Sequence, residues 1–211
     1  MKAIFIIPVV FSVFLFSCKD PEQSVTPLEN HTDSLAVDST KGTVKLKKAN
    51  ELSGEPGAIG VFEVPEMLTL CRKDSAATSK MAVTFAKNYS ILEKDLAYLG
   101  IKSSGSAGSI YYNNDTSNFI FECVFPIAGM PKKTPKKSTI VVLEASPMLI
   151  YNHYGEYADL HVAYDNVRKY LAMNELVQAG PLREFYITNP DVVTDHSKWL
   201  TRLMVPVMKK K

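Results

Sequence analysis

Two acids and two tyrosines are the residues of this chain best suited to chemistry. Glu184 and Tyr186 alternate along Arg183–Thr188, and Ser109 and Tyr111 alternate in the same way along Ser109–Asn113. Side chains two apart on a strand share a face, so each pair projects together. Glu122 lies on a neighbouring strand-like run, Asn118–Phe125. Its partners Phe119, Phe121, Cys123 and Phe125 form an apolar face suited to packing on helices, and Glu122 points the other way. A carboxylate among tyrosine rings suits a cationic or polarised organic ligand, through charge and cation–π attraction. The same acid can also move a proton if burial brings its pKa towards working pH. On this reading the two acids and two tyrosines converge on the sheet face left free by the helices. The plainer reading is a solvated open sheet face.

These residues belong to a repeat. Between Tyr89 and Asn114, seven positions are identical to the position 75 residues further on: Tyr89/Tyr164, Lys94/Lys169, Leu96/Leu171, Ala97/Ala172, Gly105/Gly180, Tyr111/Tyr186 and Asn114/Asn189. Ordinary residue usage gives only about one or two such matches by chance. The copies differ where chemistry matters, because Ser109 stands where the second copy has Glu184.

Each copy reads as β-α-β-β. Strand-like Val61–Cys71 and Thr139–Asn152 open the two units, broken by proline. Phe85, Tyr89, Leu92, Leu96 and Leu99 then recur at helical spacing, as do Leu160, Tyr164, Val167 and Leu171. Two further strands close each unit, and both final strands end in an apolar-Pro-apolar step, Phe125-Pro126-Ile127 and Val205-Pro206-Val207. The expected fold class is α+β: tandem β-α-β-β repeats with pseudo-twofold symmetry. One antiparallel sheet would carry helices on one face and a concave ligand pocket on the other. Repeat one spans about 59–129 and repeat two about 138–208. Met130–Ser138 joins them, and its four lysines read as a solvated connector.

The N-terminus reads as an address. Met1-Lys2 is followed by an apolar run from Ala3 to Phe16, then Ser17-Cys18 and a polar turn at Lys19-Asp20. A basic start, a short apolar run and a small residue before the cut describe a secretory signal over 1–17. The run is shorter than the roughly 20 residues of a membrane span. Leu15-Phe16-Ser17-Cys18 resembles a bacterial lipobox, which makes Cys18 the expected lipidation site and the bacterial cell envelope the expected location, with a lipid-anchored membrane protein on its periplasmic or outer-membrane side. The alternative is a buried terminal element with an incidental cysteine. Residues 18–58 are polar and aperiodic and read as a disordered tether. The folded domain is expected at 59–208.

Charge and composition narrow the partners. The net charge is +2, from 24 basic and 22 acidic residues, and this near balance argues against nucleic acid. Cys71 and Cys123 could pair in an oxidising compartment. The flanking phenylalanines of Cys123 favour two small buried hydrophobes instead. Neither cysteine sits in a CxxC context, and the four histidines lack ligand spacing, so no metal is expected and nothing calls for a cofactor. His153, beside Gly155, reads as structural, and Trp199 fits either core or pocket wall.

The order His153-Tyr154-Gly155-Glu156-Tyr157, Ala163-Tyr164, Gly180-Pro181-Leu182-Arg183-Glu184-Phe185-Tyr186-Ile187-Thr188-Asn189-Pro190 and Val205-Pro206-Val207 resembles the GyrI-like, or bacterial effector-binding, domain family. Ile110-Tyr111-Tyr112 and Phe121–Ile127 carry the resemblance in copy one. It implies a small-molecule-binding domain whose central acid, at Glu184, meets cationic or polar drug-like ligands. Tyr186, Tyr111, Glu122 and Ser109 complete the expected ligand-binding set. Some stand-alone members of the family hydrolyse reactive cyclopropane compounds with a pocket Glu, which implies the alternative of a hydrolase with Glu184 as general acid or base. The chain departs from the pattern at Arg202, where the family often has an acid. Pairing of Arg202 with Glu184 or Glu122 would weaken any preference for cations. No helix-turn-helix precedes the domain, so a regulator's role for the chain acting alone is not expected.

Overall fold

The computed structural model describes residues 54–210, together with Leu52 and the backbone at Lys47 and Lys48. The signal peptide at 1–17, the lipidation site Cys18 and most of the tether lie outside the described residues.

The repeat folds as its pattern indicates. In the first half, β2 (Ile59–Val64) and β3 (Met67–Ala76) precede α1 (Met81–Leu99), then β4 (Gly108–Tyr111) and β5 (Phe119–Pro126). The second half runs β6 (Thr139–Leu143), β7 (Ser146–Tyr154), α2 (Leu160–Met173), a short β8 (Leu176–Gln178), β9 (Leu182–Tyr186) and β10 (Leu200–Lys209). A two-residue β1 (Lys47–Lys48) adds in parallel to β2. Tyr154 also donates a hydrogen bond to the Gly54 carbonyl at 2.8 Å, and Gly57 N–H to Asn152 at 3.0 Å. The folded region therefore begins inside the segment expected to be tether.

The strand order is β1-β2-β7-β10-β9-β4-β5-β3-β6, with β8 on the far end of β10. The halves meet at the β4–β9 pair. They also exchange strands: β2 of the first half pairs with β7 of the second, and β6 of the second with β3 of the first.

Register sorts the whole sheet into two faces. On one, Leu70, Phe121 and Cys123 pack under Phe85, Tyr89, Leu92 and Leu96 of α1. Leu149, Leu203 and Val205 pack under Ala163 and Val167 of α2 on that same face. Both helices thus cover one side, and α1 ends at Gly100, whose φ of 70° is the left-handed conformation that glycine adopts without strain. On the other face, Cys71, Val124 and Leu143 from one flank meet Phe62, Met148, Ile150 and Met204 from the other, around Ile110 and Phe185. Flanks of one sheet touch only if it curls. All three clusters are built from residues 52–207, so the domain holds its own core.

Two echoed glycines have a common cause. A Cβ on Gly105 would sit 3.3 Å from the Pro126 ring, and one on Gly180 3.4 Å from the Pro206 ring. Each closes its half by laying backbone against the proline of the last strand.

Cys71 and Cys123 do not form a disulfide. Both are free and buried. Cys71 lies opposite Val124 and Cys123 opposite Arg72, so the two thiols project from opposite faces of the sheet. The four lysines of the connector are exposed, as expected of a solvated connector, and α1 holds its far end. The Asp95 carboxylate of α1 accepts hydrogen bonds from Lys137 N–H at 2.8 Å, Ser138 N–H at 2.9 Å and the Ser138 hydroxyl.

Candidate functional site

Ser109 and Glu184 are opposed Cα partners where β4 meets β9, at the junction of the two repeats. Across the next pairings Ser109 lies opposite Cys123, and Glu184 opposite Leu203. The row Leu203–Glu184–Ser109–Cys123 therefore faces the helices. This corrects the expectation that the acid projects from the free face. The concave face away from the helices is filled by its own apolar side chains and offers Glu184 no access. Glu122 pairs with Ile110 and belongs to that opposite face, where it accepts a hydrogen bond from Tyr112 at 2.8 Å. The two acids do not converge. Arg202 is also on the far face and donates to Asn152 Oδ1 at 2.9 Å, so it does not pair with Glu184.

Tyrosines surround Glu184 instead. Tyr164 donates to Oε1, and Tyr111 and Tyr186 each donate to Oε2 at 3.1 Å. Tyr186 also lies 3.2 Å from Ser109 Oγ. On the Ser109 side, Tyr89 of α1 donates to the Gly108 carbonyl at 2.7 Å and lies 3.0 Å from Ser109 Oγ. The pseudo-twofold pairs Tyr89 with Tyr164 and Tyr111 with Tyr186, leaving Ser109 against Glu184. Four of the five expected site residues are thus brought together, Glu122 is not, and Tyr89 and Tyr164 join. Both had been legible as an echoed pair, but their helical spacing marked them as core.

The electrostatics follow from this enclosure. Glu184 is only 3% exposed. Burial pushes its carboxyl above the ordinary carboxylate range, and hydrogen bonds from Tyr164, Tyr186 and Tyr111 pull the other way without cancelling it. Burial, then the charge of Glu184, holds Tyr111, Tyr164 and Tyr186 well above the ordinary phenol range, so they remain donors. Among the described residues no cationic side chain pairs with Glu184. Gly108 makes the approach of β4 and β9 possible here: a Cβ on it would lie 2.6 Å from the Glu184 carbonyl oxygen and 2.7 Å from the Phe185 ring.

A cleft of about 230 Å³ opens beside this cluster, between α1 and the chain that leaves β9. Tyr89, Phe125, Tyr157 and Tyr186 give it aromatic walls, and Thr188, Asn189 and Pro190 form its outer edge. Tyr186 lines the cleft with its ring and reaches Glu184 with its hydroxyl. Tyr157 stands against Tyr186 with ring centroids 5.7 Å apart, and Trp199 backs Tyr157 at 5.4 Å. Trp199 is therefore a support behind the wall, fixed by donation from its indole N–H to Val193 at 2.7 Å. His153 is buried and its ring lies 3.2 Å from the Glu156 carbonyl, holding the turn that delivers Tyr157.

The family model for the GyrI-like small molecule binding domain matches residues 75–208. The chain belongs to this GyrI-like family. Among solved structures, the EcmrR C-terminal domain superposes with a TM-score of 0.62 at 18% identity, over 72% of this chain and 97% of that one. SAV2435 bound to tetraphenylphosphonium superposes at 0.53 with 13% identity, over 71% of this chain and 93% of that one. An uncharacterised conserved protein from Listeria innocua superposes at 0.55 with 12% identity, over 74% and 94%. In the EcmrR–DNA complex the match spans only 57% of the EcmrR chain. These likenesses agree with the GyrI-like fold of a curled antiparallel sheet and two helices. No curated protein matches the sequence.

Proposed function

We propose that this GyrI-like domain captures a small amphipathic molecule, cationic or aromatic, in the cleft beside Tyr186 and Glu184. We further propose that lipid on Cys18 holds it at the bacterial cell envelope. One observation carries the binding reading: a buried carboxylate held by hydroxyl donors alone, with no described cation beside it, behind an aromatic-walled cleft. Such a group gains most from a cation placed against the tyrosine faces, since both the charge and the ring quadrupoles attract it in a poorly solvated site. The tetraphenylphosphonium complex of a protein of similar fold supports this class of ligand. The near-neutral net charge of +2 supports a small molecule over nucleic acid.

Titration of tetraphenylphosphonium into residues 47–211, with Glu184→Gln beside the wild type, tests the site. Affinity should fall at least about tenfold in the variant, the order of a lost charge–charge attraction in a poorly solvated site. Equal affinity in the two proteins would remove Glu184 from the role. The anchor is tested separately, by palmitate labelling of the full chain, which Cys18→Ser should abolish.

The upward-shifted carboxyl of Glu184 supports a second reading, a hydrolase in which this acid protonates a leaving group or activates water. Turnover of electrophilic small molecules, abolished in Glu184→Gln, distinguishes it from simple capture.

A further inference from the structure

The cleft holds one charged residue, Glu93. The other lining side chains are Tyr89, Phe125, Tyr157, Tyr186 and small or neutral groups. Glu93 is four residues beyond Tyr89 on α1, which places both on one helix face a single turn apart. Tyr89 reaches down to Gly108 and Ser109 at the floor, whereas Glu93 is exposed. No described residue forms an ion pair or hydrogen bond with its carboxylate. The adjacent Lys94 is not part of the lining. The cleft therefore has one free acid at its mouth, and a second acid, Glu184, lies behind its Tyr186 wall.

Resting on the reading of this cleft as a cation site, we propose that Glu93 is its outer acidic determinant and that the site prefers an elongated ligand with two cationic centres joined by an apolar spacer. The inner centre lies against the Tyr186 ring with Glu184 behind it, the spacer against Phe125, Tyr89 and Tyr157, and the outer centre at Glu93. A compact monocation engages only one acid at a time. An exposed carboxylate contributes modestly and is screened by salt, whereas the buried one is not, so the two contributions separate by ionic strength.

The test uses residues 47–211 as wild type, Glu93→Gln and Glu93→Lys, titrated with decamethonium, a bis-quaternary ammonium, and with tetraphenylphosphonium, at low and high salt. Glu93→Gln should weaken decamethonium roughly three- to fivefold at low salt and tetraphenylphosphonium by less than about twofold, as expected for one exposed ion pair. Glu93→Lys should weaken decamethonium further, and high salt should bring all three proteins together. Wild-type binding of decamethonium that neither substitution changes at low salt would overturn the role of Glu93 while leaving the cation site standing. Wild type that binds neither cation would overturn both. Glu93 is exposed, so its variants retain the fold, and circular dichroism checks this.

Discussion

Ser109 and Glu184 sit directly opposite one another across the β4–β9 junction, and Tyr186 reaches both, at 3.2 Å and 3.1 Å. One half of the repeat supplies an acid and the other a hydroxyl at the same structural position. The consequences of that arrangement are measurable.

Glu184 and Glu122 should behave differently towards any ligand of the cleft. Glu184→Gln should reduce affinity for tetraphenylphosphonium at least about tenfold, while Glu122→Gln should change it less than about twofold, because Glu122 lies on the opposite sheet face. Isothermal titration of the two variants in parallel checks this.

Stability and binding should respond to pH with opposite sign. The folded-state pKa of Glu184 is raised above its ordinary 4.5, so the folded chain holds this proton more tightly than the unfolded one. The stability from this group is fully present below about 4.5 and is lost as pH rises through the raised folded value. The urea midpoint of the wild type should therefore drop relative to Glu184→Gln as pH rises over that span, then level off. Affinity for a cation should climb over the same span, as the carboxyl ionises.

Gly108→Ala should cost about 3 kcal/mol, since its Cβ meets backbone oxygen and a buried ring that has no room to withdraw. Thermal unfolding should show a lower midpoint, and Tyr186 and Glu184 should lose their alignment with the strand pair.

Asp95 holds the connector to α1. Burial pushes its carboxyl up, but hydrogen bonds from Ser138 and Lys137 more than offset this and leave it below the ordinary range. Asp95→Ala should cost about 1 kcal/mol by leaving the half-buried donors of Lys137 and Ser138 without their acceptor. Trypsin should then cut faster among Lys132, Lys133, Lys136 and Lys137, which limited proteolysis reads directly.

The fold was largely legible because an echo of aromatic, glycine and helix residues reports the same contacts twice. Gly105 and Gly180 recur because each meets a proline ring, and Tyr89 and Tyr164 because each reaches its own central residue on the sheet. The face of the site was not legible. Alternation shows that Ser109 travels with Tyr111, and Glu184 with Tyr186. It does not show that Ser109 lies opposite Cys123 rather than Glu122. That is a matter of register between strands, and a slip of one residue moves a side chain to the other face. The short β1 and β8 escaped notice because two or three residues carry no period.

The direct opposition of Ser109 and Glu184 also bears on how such a site can come to exist. Two identical half-chains assembling with the same exchanged strands would place the same residue on both sides of the axis. An acid there would face its own copy, and two buried carboxylates in contact cannot both ionise. A symmetric assembly could therefore carry two acids sharing a proton, or none. Covalent fusion of the halves lets each diverge alone, so that one acid can stand at the centre with a hydroxyl, and no second acid, across from it.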